Sequence, residues 1–308
     1  MPRTNLILLA LILTACATPT PLPTLMPVPT VLPTPTFAPT TTSVSTVSPT
    51  LPPTFAPTAT ATIAVPLIIT RDANAFSREA TVPILMYHYI EPVPPNNKDQ
   101  LRADLTVTPE KFEAQLKFLK ERGYTSIDLY QFYGALARGD KLPAKPVVIT
   151  FDDGYGDLHE YAFPLTEKYG FTGTIFMITD FTDAQKSDYI TWAKALEMAR
   201  AGWRLESHTK NHPSLEGQSV EFQRDQLKGS MDALKKNLGY TPRFLAYPYG
   251  KFDQNSIKVL QEVGYWGAVT TNIGRHHSFG SLYTSPRVRV NGYNELPAFA
   301  QSLGEKAP

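Results

Sequence analysis

Cysteine is almost missing from this 308-residue chain, where Cys16 stands alone. A single thiol excludes any intrachain disulfide, so the fold rests on its apolar core. A surplus of charge is missing too: lysine plus arginine number 29 against 28 aspartate plus glutamate, and no basic block occurs. That balance excludes an electrostatic footing on nucleic acid or on a membrane surface, and we expect no nucleic-acid partner. The apolar stretch near the start, Leu6 to Leu13, is too short to span a bilayer. No internal repeat of fixed period is present.

The first residues have the layout of a targeting segment. Arg3 gives a positive start, Leu6 to Leu13 an apolar core, and Leu13-Thr14-Ala15-Cys16 a small-residue cleavage site. The last four resemble the bacterial lipobox, which implies that residues 1–15 are a lipoprotein signal and that a lipidated Cys16 anchors the chain. The alternative is an ordinary secretory signal with an incidental Cys16. The lone thiol favours lipidation, because an unpaired cysteine in an exported protein needs a reason. Residues 16–66 are dominated by Thr, Pro, Ser and Ala with almost no charge. They bury too little apolar area to offset ordering, which predicts a disordered tether reaching on the order of 150 Å in polyproline II form. Residues 67–308 have the size of one α/β domain, expected to be monomeric and to sit outside the cytoplasm.

Two short segments of that domain carry its chemistry. Thr150-Phe151-Asp152-Asp153-Gly154 closes an apolar run, and His208-Thr209-Lys210-Asn211-His212 follows another. One aspartate and two histidines suit a divalent metal, zinc best, with cobalt, nickel or iron also compatible. Three protein ligands with open positions describe a catalytic site rather than a closed structural one. The second aspartate is then a natural general base. The bland reading is a strand-ending turn at Asp152-Asp153 and one surface and one core histidine; the combination outweighs it.

Apolar runs of strand length alternate with helical patterns. Strands are expected at 82–87, 146–151, 172–178, 203–207, 244–247, 266–271 and 287–290. Helices are expected from Thr108 to Gly123 and at 158–168, 192–201, 220–238 and 254–263. Such alternation implies a parallel sheet, open or closed. His88, Asp152, Asp153, His208 and Tyr249 all follow strand ends, and in a β/α barrel those ends converge on the catalytic face.

The TFDDG and HTKNH segments, with Ala246-Tyr247-Pro248-Tyr249-Gly250, resemble the successive motifs of the polysaccharide deacetylases, carbohydrate esterase family 4 or NodB-like. The resemblance covers roughly 82–290. It implies a distorted, incomplete (β/α) barrel, with Asp153, His208 and His212 as metal ligands and Asp152 as the base. The Tyr249 backbone N–H would face the oxyanion. Leu85-Met86-Tyr87-His88-Tyr89-Ile90 resembles the MYH segment of the poly-β-1,6-N-acetylglucosamine deacetylase branch, which implies that His88 is the acid. His276 and His277, expected in a Gly-rich loop, compete for that role, while His159 is expected on an exposed helix face. Many members carry an arginine where Ala246 stands; Arg287 or Arg289 is expected to replace it beside the base. Trp192, Trp203, Trp266, Tyr247 and Tyr89 are aromatic enough to stack on sugars but are more often core. The expected activity is metal-dependent N-deacetylation of an acetylated polysaccharide of poly-N-acetylglucosamine type. Peptidoglycan or chitin oligomers, xylan O-acetyl groups, and a non-catalytic carbohydrate-binding role are the alternatives.

Overall fold

The computed structural model describes residues 62–93 and 98–307. The signal, Cys16 and all but the last five residues of the tether lie outside the described residues.

Seven parallel strands form the centre: β1 (Ile84–Tyr87), β2 (Pro146–Phe151), β3 (Thr174–Met177), β4 (Arg204–Ser207), β5 (Phe244–Ala246), β6 (Gly267–Ile273) and β7 (Ser285–Arg289). They pair in chain order from β2 to β7, and β1 closes the ring between β7 and β2. The result is a barrel one strand short of eight, distorted by a register shift between β6 and β7. The expected fold is therefore present, and each observed strand starts and ends within about two residues of its expected span.

Strand β2 shows why the ring forms. Its sequence, Pro-Val-Val-Ile-Thr-Phe, is rich in β-branched residues and buried on both faces. Alternation sends Val147, Ile149 and Phe151 outward against Phe112, Leu116 and the other helix residues, while Val148 points inward with Ile84, Phe176, Phe244 and Val269. The outer helices are held by ordinary end signals. Thr108 caps Pro109–Glu121 with proline in its first turn, and Ser219 caps Val220–Leu238. Phe112, Leu116 and Leu119 are fully buried, each contributing about 1.5–3 kcal/mol.

Three of the features that were not expected bear on the core and the site. Helix Leu129–Arg138 starts from a capping box, Asp128 with Gln131, yet its Tyr130, Phe132 and Tyr133 favour strand on propensity. It packs across the starts of β4 and β5, where the Tyr130 hydroxyl donates to Glu206 at 2.8 Å. The expected helix at 158–168 instead opens with a π-turn, Leu158–Ala162, before the α-helix Phe163–Tyr169. The short helix Gln100–Leu105, capped by Asp99, lies beside the catalytic face.

Candidate active site and metal centre

The strand ends deliver the expected residues to one place. Asp152 and Asp153 follow β2, His208 follows β4, and His88 follows β1. Asp153 Oδ1 lies 3.4 Å from His208 Nε2 and 3.3 Å from His212 Nε2, and these three ligand atoms lie within 4.8 Å of one another. Ligands about 2.0–2.2 Å from a tetrahedral zinc ion stand about 3.3–3.6 Å apart, which is the spacing of the two Asp–His pairs. Asp153 Oδ1 is buried and has no hydrogen-bond partner among the described residues. A buried carboxylate oxygen facing two imidazole nitrogens fits a divalent cation.

The ring of His208 is oriented from behind. Its Nδ1 is 2.7 Å from the Ala246 carbonyl, to which it donates, so Nε2 is the nitrogen left for Asp153 and a metal. The HTKNH segment is not helical, although its i, i+4 histidines allow that reading. Thr209 and His212 both adopt left-handed backbone, at φ 66° and 64°, forming a turn that closes the two rings to 4.7 Å. The turn is stitched by Thr209 Oγ1 accepting from His212 N, and by Ser207 Oγ accepting from Thr209 N. Asp153 and Tyr249 are left-handed as well, at φ 70° and 58°. Four strained residues at one site cost about 1–3 kcal/mol each, and such strain gathers where geometry matters more than stability.

Asp152 has a dedicated partner. The Arg287 guanidinium is fully buried and donates twice to it, at 2.7 and 2.6 Å, while its Nε donates to the Thr270 carbonyl. Burial alone raises the Asp152 carboxyl; Arg287, as charge and as donor, outweighs that and holds it below the ordinary carboxylate range. Arg287 is thus the replacement for the arginine missing at Ala246. Arg289 lies two residues further along β7, on the same strand face but at the rim, and pairs with Asp104.

His88 Nε2 stands 3.9 Å from Asp152 Oδ2. Burial pulls the pKa of this ring down, against the upward pull of Asp152 and Asp153. The competitors lie elsewhere. His276 and His277 are in a short strand, not a loop, paired with Glu79–Thr81 ahead of β1. Six residues, a span on the order of 20 Å when extended, separate Thr81 from His88. His277 packs edge-on against Phe132 with Nε2 2.9 Å from the Val82 carbonyl, and His276 faces Glu79. His159 is not free on its helix face but bonds Glu197 at 3.0 Å.

Tyr249 sits in a tight turn whose next residue must be small: a Cβ on Gly250 would lie 2.1 Å from Thr271 Oγ1. Its ring is 63 % exposed and stands over His212 at 4.6 Å. Of the other aromatics, Trp203 stacks on Phe151 in the core, Trp266 on Tyr133 and Tyr247 on Phe252. Trp192 donates to Asp183 at 2.7 Å. Only Tyr89 of that group faces the site.

The triad opens into a cleft of about 660 Å³, lined by Asp153, His212, Tyr249, Asn211, Ile178 and a wall of which only Tyr89 figures in the sequence reading. In that wall Tyr89 is held between the Arg102 guanidinium, 3.3 Å from its ring centre, and the Tyr155 ring at 3.7 Å. Tyr155 in turn meets Tyr189, which meets Phe181. Tyr155 directly follows the TFDDG motif; Arg102 and Tyr189 come from segments with no motif to mark them.

A parallel α/β barrel with Asp, His, His and a second, arginine-held Asp at its strand ends has the make-up of a hydrolase with a possible metal site. The profile of the family described as polysaccharide deacetylase matches residues 139–268. The Bacillus subtilis protein YxkH, named for the polysaccharide deacetylases, is 32 % identical over 70 % of this chain and 73 % of its own. The poly-β-1,6-N-acetyl-D-glucosamine N-deacetylase of Staphylococcus epidermidis is 29 % identical over 60 % of this chain and 68 % of its own. The Streptococcus pyogenes deacetylase PplD, solved with acetate, superposes with a TM-score of 0.69 and 31 % identity over 73 % of this chain and 99 % of that one. The chain belongs to the polysaccharide deacetylase family, carbohydrate esterase family 4. It is a hydrolase of carbon–nitrogen bonds of the carbohydrate N-deacetylase class.

Proposed function

We propose that this protein removes N-acetyl groups from an N-acetylglucosamine-containing polysaccharide of the poly-β-1,6-linked kind. The observation that carries the reading is the convergence of the Asp153, His208 and His212 ligand atoms beside an arginine-held Asp152. A divalent metal, zinc by ligand type, held by those three residues would supply Lewis acidity toward the acetamide carbonyl and the attacking water. Asp152, kept ionised by Arg287, takes the water proton. The Tyr249 backbone N–H steadies the oxyanion. His88, 3.9 Å from Asp152, is placed to pass a proton to the departing amine. Acetate and a free amino sugar leave.

The substrate rests on two supports: the Met86-Tyr87-His88 segment, and the likeness to the staphylococcal enzyme. We also propose that residues 1–15 are removed as a lipoprotein signal, that Cys16 anchors the chain outside the cytoplasm, and that residues to about 66 tether a monomeric catalytic domain. Acetate release by the zinc-loaded protein from a panel of acetylated oligosaccharides tests the activity. Poly-β-1,6-N-acetylglucosamine oligomers are expected to lead chitin, peptidoglycan and xylan oligomers. Asp152→Asn is expected to keep metal and fold while losing about 10²–10⁴-fold in turnover. A near-normal rate in that variant would move the base elsewhere.

A further inference from the structure

The ring of His88 has no hydrogen bond of its own among the described residues, and the Asp152 carboxylate stands 3.9 Å away, beyond hydrogen-bonding reach. The imidazole is therefore aimed by its backbone, residues 87–90 at the end of β1. That backbone is held on both sides of His88. Before it, Asp152 N donates to the Tyr87 carbonyl at 2.9 Å. After it, Ile90 N donates to the Asp157 carboxylate, a contact between residues 67 apart in sequence. The strand Tyr89–Ile90 also pairs with Thr106–Val107, but a ladder of two residues is too short to fix the segment unaided.

Asp157 heads the π-turn Leu158–Ala162, where an aspartate ordinarily caps its own helix, yet its carboxylate makes no capping bond there. It turns to Ile90 instead. Its other oxygen, Oδ1, is buried without a hydrogen-bond partner among the described residues, an arrangement that costs stability. A π-turn is itself rare and gathers where function re-aims side chains. Packing supports the same contact, since Ile90 and Leu158, the residue after Asp157, are fully buried in one cluster.

The stretch that carries Asp157 also carries the base. Between Asp152 and Asp157 the loop is fixed by Gly156 N donating to the Asp188 carbonyl and Ile190 N donating to the Gly154 carbonyl, both at 2.9 Å. Tyr155 and Tyr189 complete an antiparallel bridge there. One rigid segment thus sets Asp152 at its start and, through Ile90, the place of His88 from its end.

We propose that Asp157 is a positioning residue for the reaction, its bond to Ile90 N fixing residues 87–90 so that the His88 imidazole stands at the departing amine. The inference rests on the reading of His88 as the acid given above. Asp157 touches no reacting atom, so its loss acts through His88.

The test measures kcat on a β-1,6-linked N-acetylglucosamine tetrasaccharide and on an activated acetate ester, with the zinc-loaded full chain. Asp157→Ala is expected to lower kcat on the amide by about 10–10²-fold, since a misplacement near 1 Å costs up to about 10²-fold. The ester rate should stay near the parent, which excludes misfolding. Asp157→Asn keeps an oxygen that can accept from Ile90 N and is expected to recover most of the amide rate. In the His88→Ala background, Asp157→Ala is expected to add almost nothing, because the two residues act as a unit. Where His88→Ala shows its amide-specific loss, an Asp157→Ala variant that loses equally on both substrates, loses nothing, or multiplies the His88→Ala loss overturns the assignment. Where His88→Ala shows no such loss, the acid reading has failed, and nuclear magnetic resonance of labelled histidine rings decides the positioning by itself. The ring signals that vanish in His88→Ala belong to His88; they should shift in Asp157→Ala and return in Asp157→Asn. Signals that hold their place in Asp157→Ala overturn the positioning role.

Discussion

At the residue scale, three charges and three imidazoles are arranged so that each depends on a neighbour. Asp153 Oδ1 has no hydrogen-bond partner among the described residues and faces two histidine nitrogens, so a cation held between them would satisfy it. Asp153→Ala, His208→Ala and His212→Ala are therefore each expected to lower metal content, measured by mass spectrometry after dialysis. Chelation of the parent is expected to abolish turnover. Full occupancy in all three variants would remove the metal assignment. The Asp152–Arg287 pair is buried, and breaking it from one side leaves a charge without a partner. Arg287→Leu is expected to cost about 3–5 kcal/mol in chemical denaturation, and pairing it with Asp152→Asn should recover much of that loss. Additive losses in the double variant would mean that the two residues do not act as a pair. His88 calls for a different readout, since it lies outside the Asp153, His208 and His212 group. His88→Ala should depress turnover on an amide far more than on an activated acetate ester, because an amine must be protonated to leave and an activated phenolate need not be. Equal losses on both substrates would take the acid role away from His88.

At the element scale, what was legible in the sequence was what lies next to a strand. TFDDG, HTKNH, MYH and AYPYG each follow an apolar run, so the strand pattern alone carried their side chains to one face. What was not legible depends on levels and loops. Arg287 and Arg289 share one face of β7, and only the stagger of the barrel decides that the first reaches Asp152 and the second the rim. The HTKNH spacing suits a helix, and its left-handed turn depends on bonds from Ser207 and Thr209 that spacing cannot show. Tyr155, Tyr189 and Arg102 meet across three separate segments, with nothing in their own neighbourhoods to mark them. The π-turn was read as plain helix because its composition is helical. Its head residue gives the element a pH signature. Burial pushes the Asp157 carboxyl up to about 7, from an unfolded value of about 3.9. Its folded form thus holds a proton that the unfolded chain has released, and this stabilising term, complete below about pH 4, is lost as pH rises toward 7 and stays lost above it. Asp157→Asn removes the titration. The melting temperature of that variant relative to the parent should climb between pH 4 and 7 and level off beyond. A difference that does not vary with pH would show that Asp157 titrates normally.

At the scale of the whole molecule, the barrel separates its two ends by task. The catalytic face lies at the C-terminal ends of the strands. The first described residues run instead past the N-terminal end, where the Arg204 guanidinium at the head of β4 donates to the Ala64 carbonyl at 2.7 Å and Ile63 packs on the core. Among the described residues no helix is long and apolar enough to cross a membrane. The anchoring we propose falls on Cys16 and the acyl chains it would carry, each worth about 0.8 kcal/mol per buried CH₂. Cys16→Ser should move the protein from the membrane fraction to the soluble fraction in cell fractionation, with the rate on a soluble oligosaccharide unchanged, since the substitution touches none of the residues assigned to the chemistry. A serine variant that stays in the membrane fraction would mean that an uncleaved signal core or some other attachment holds the chain.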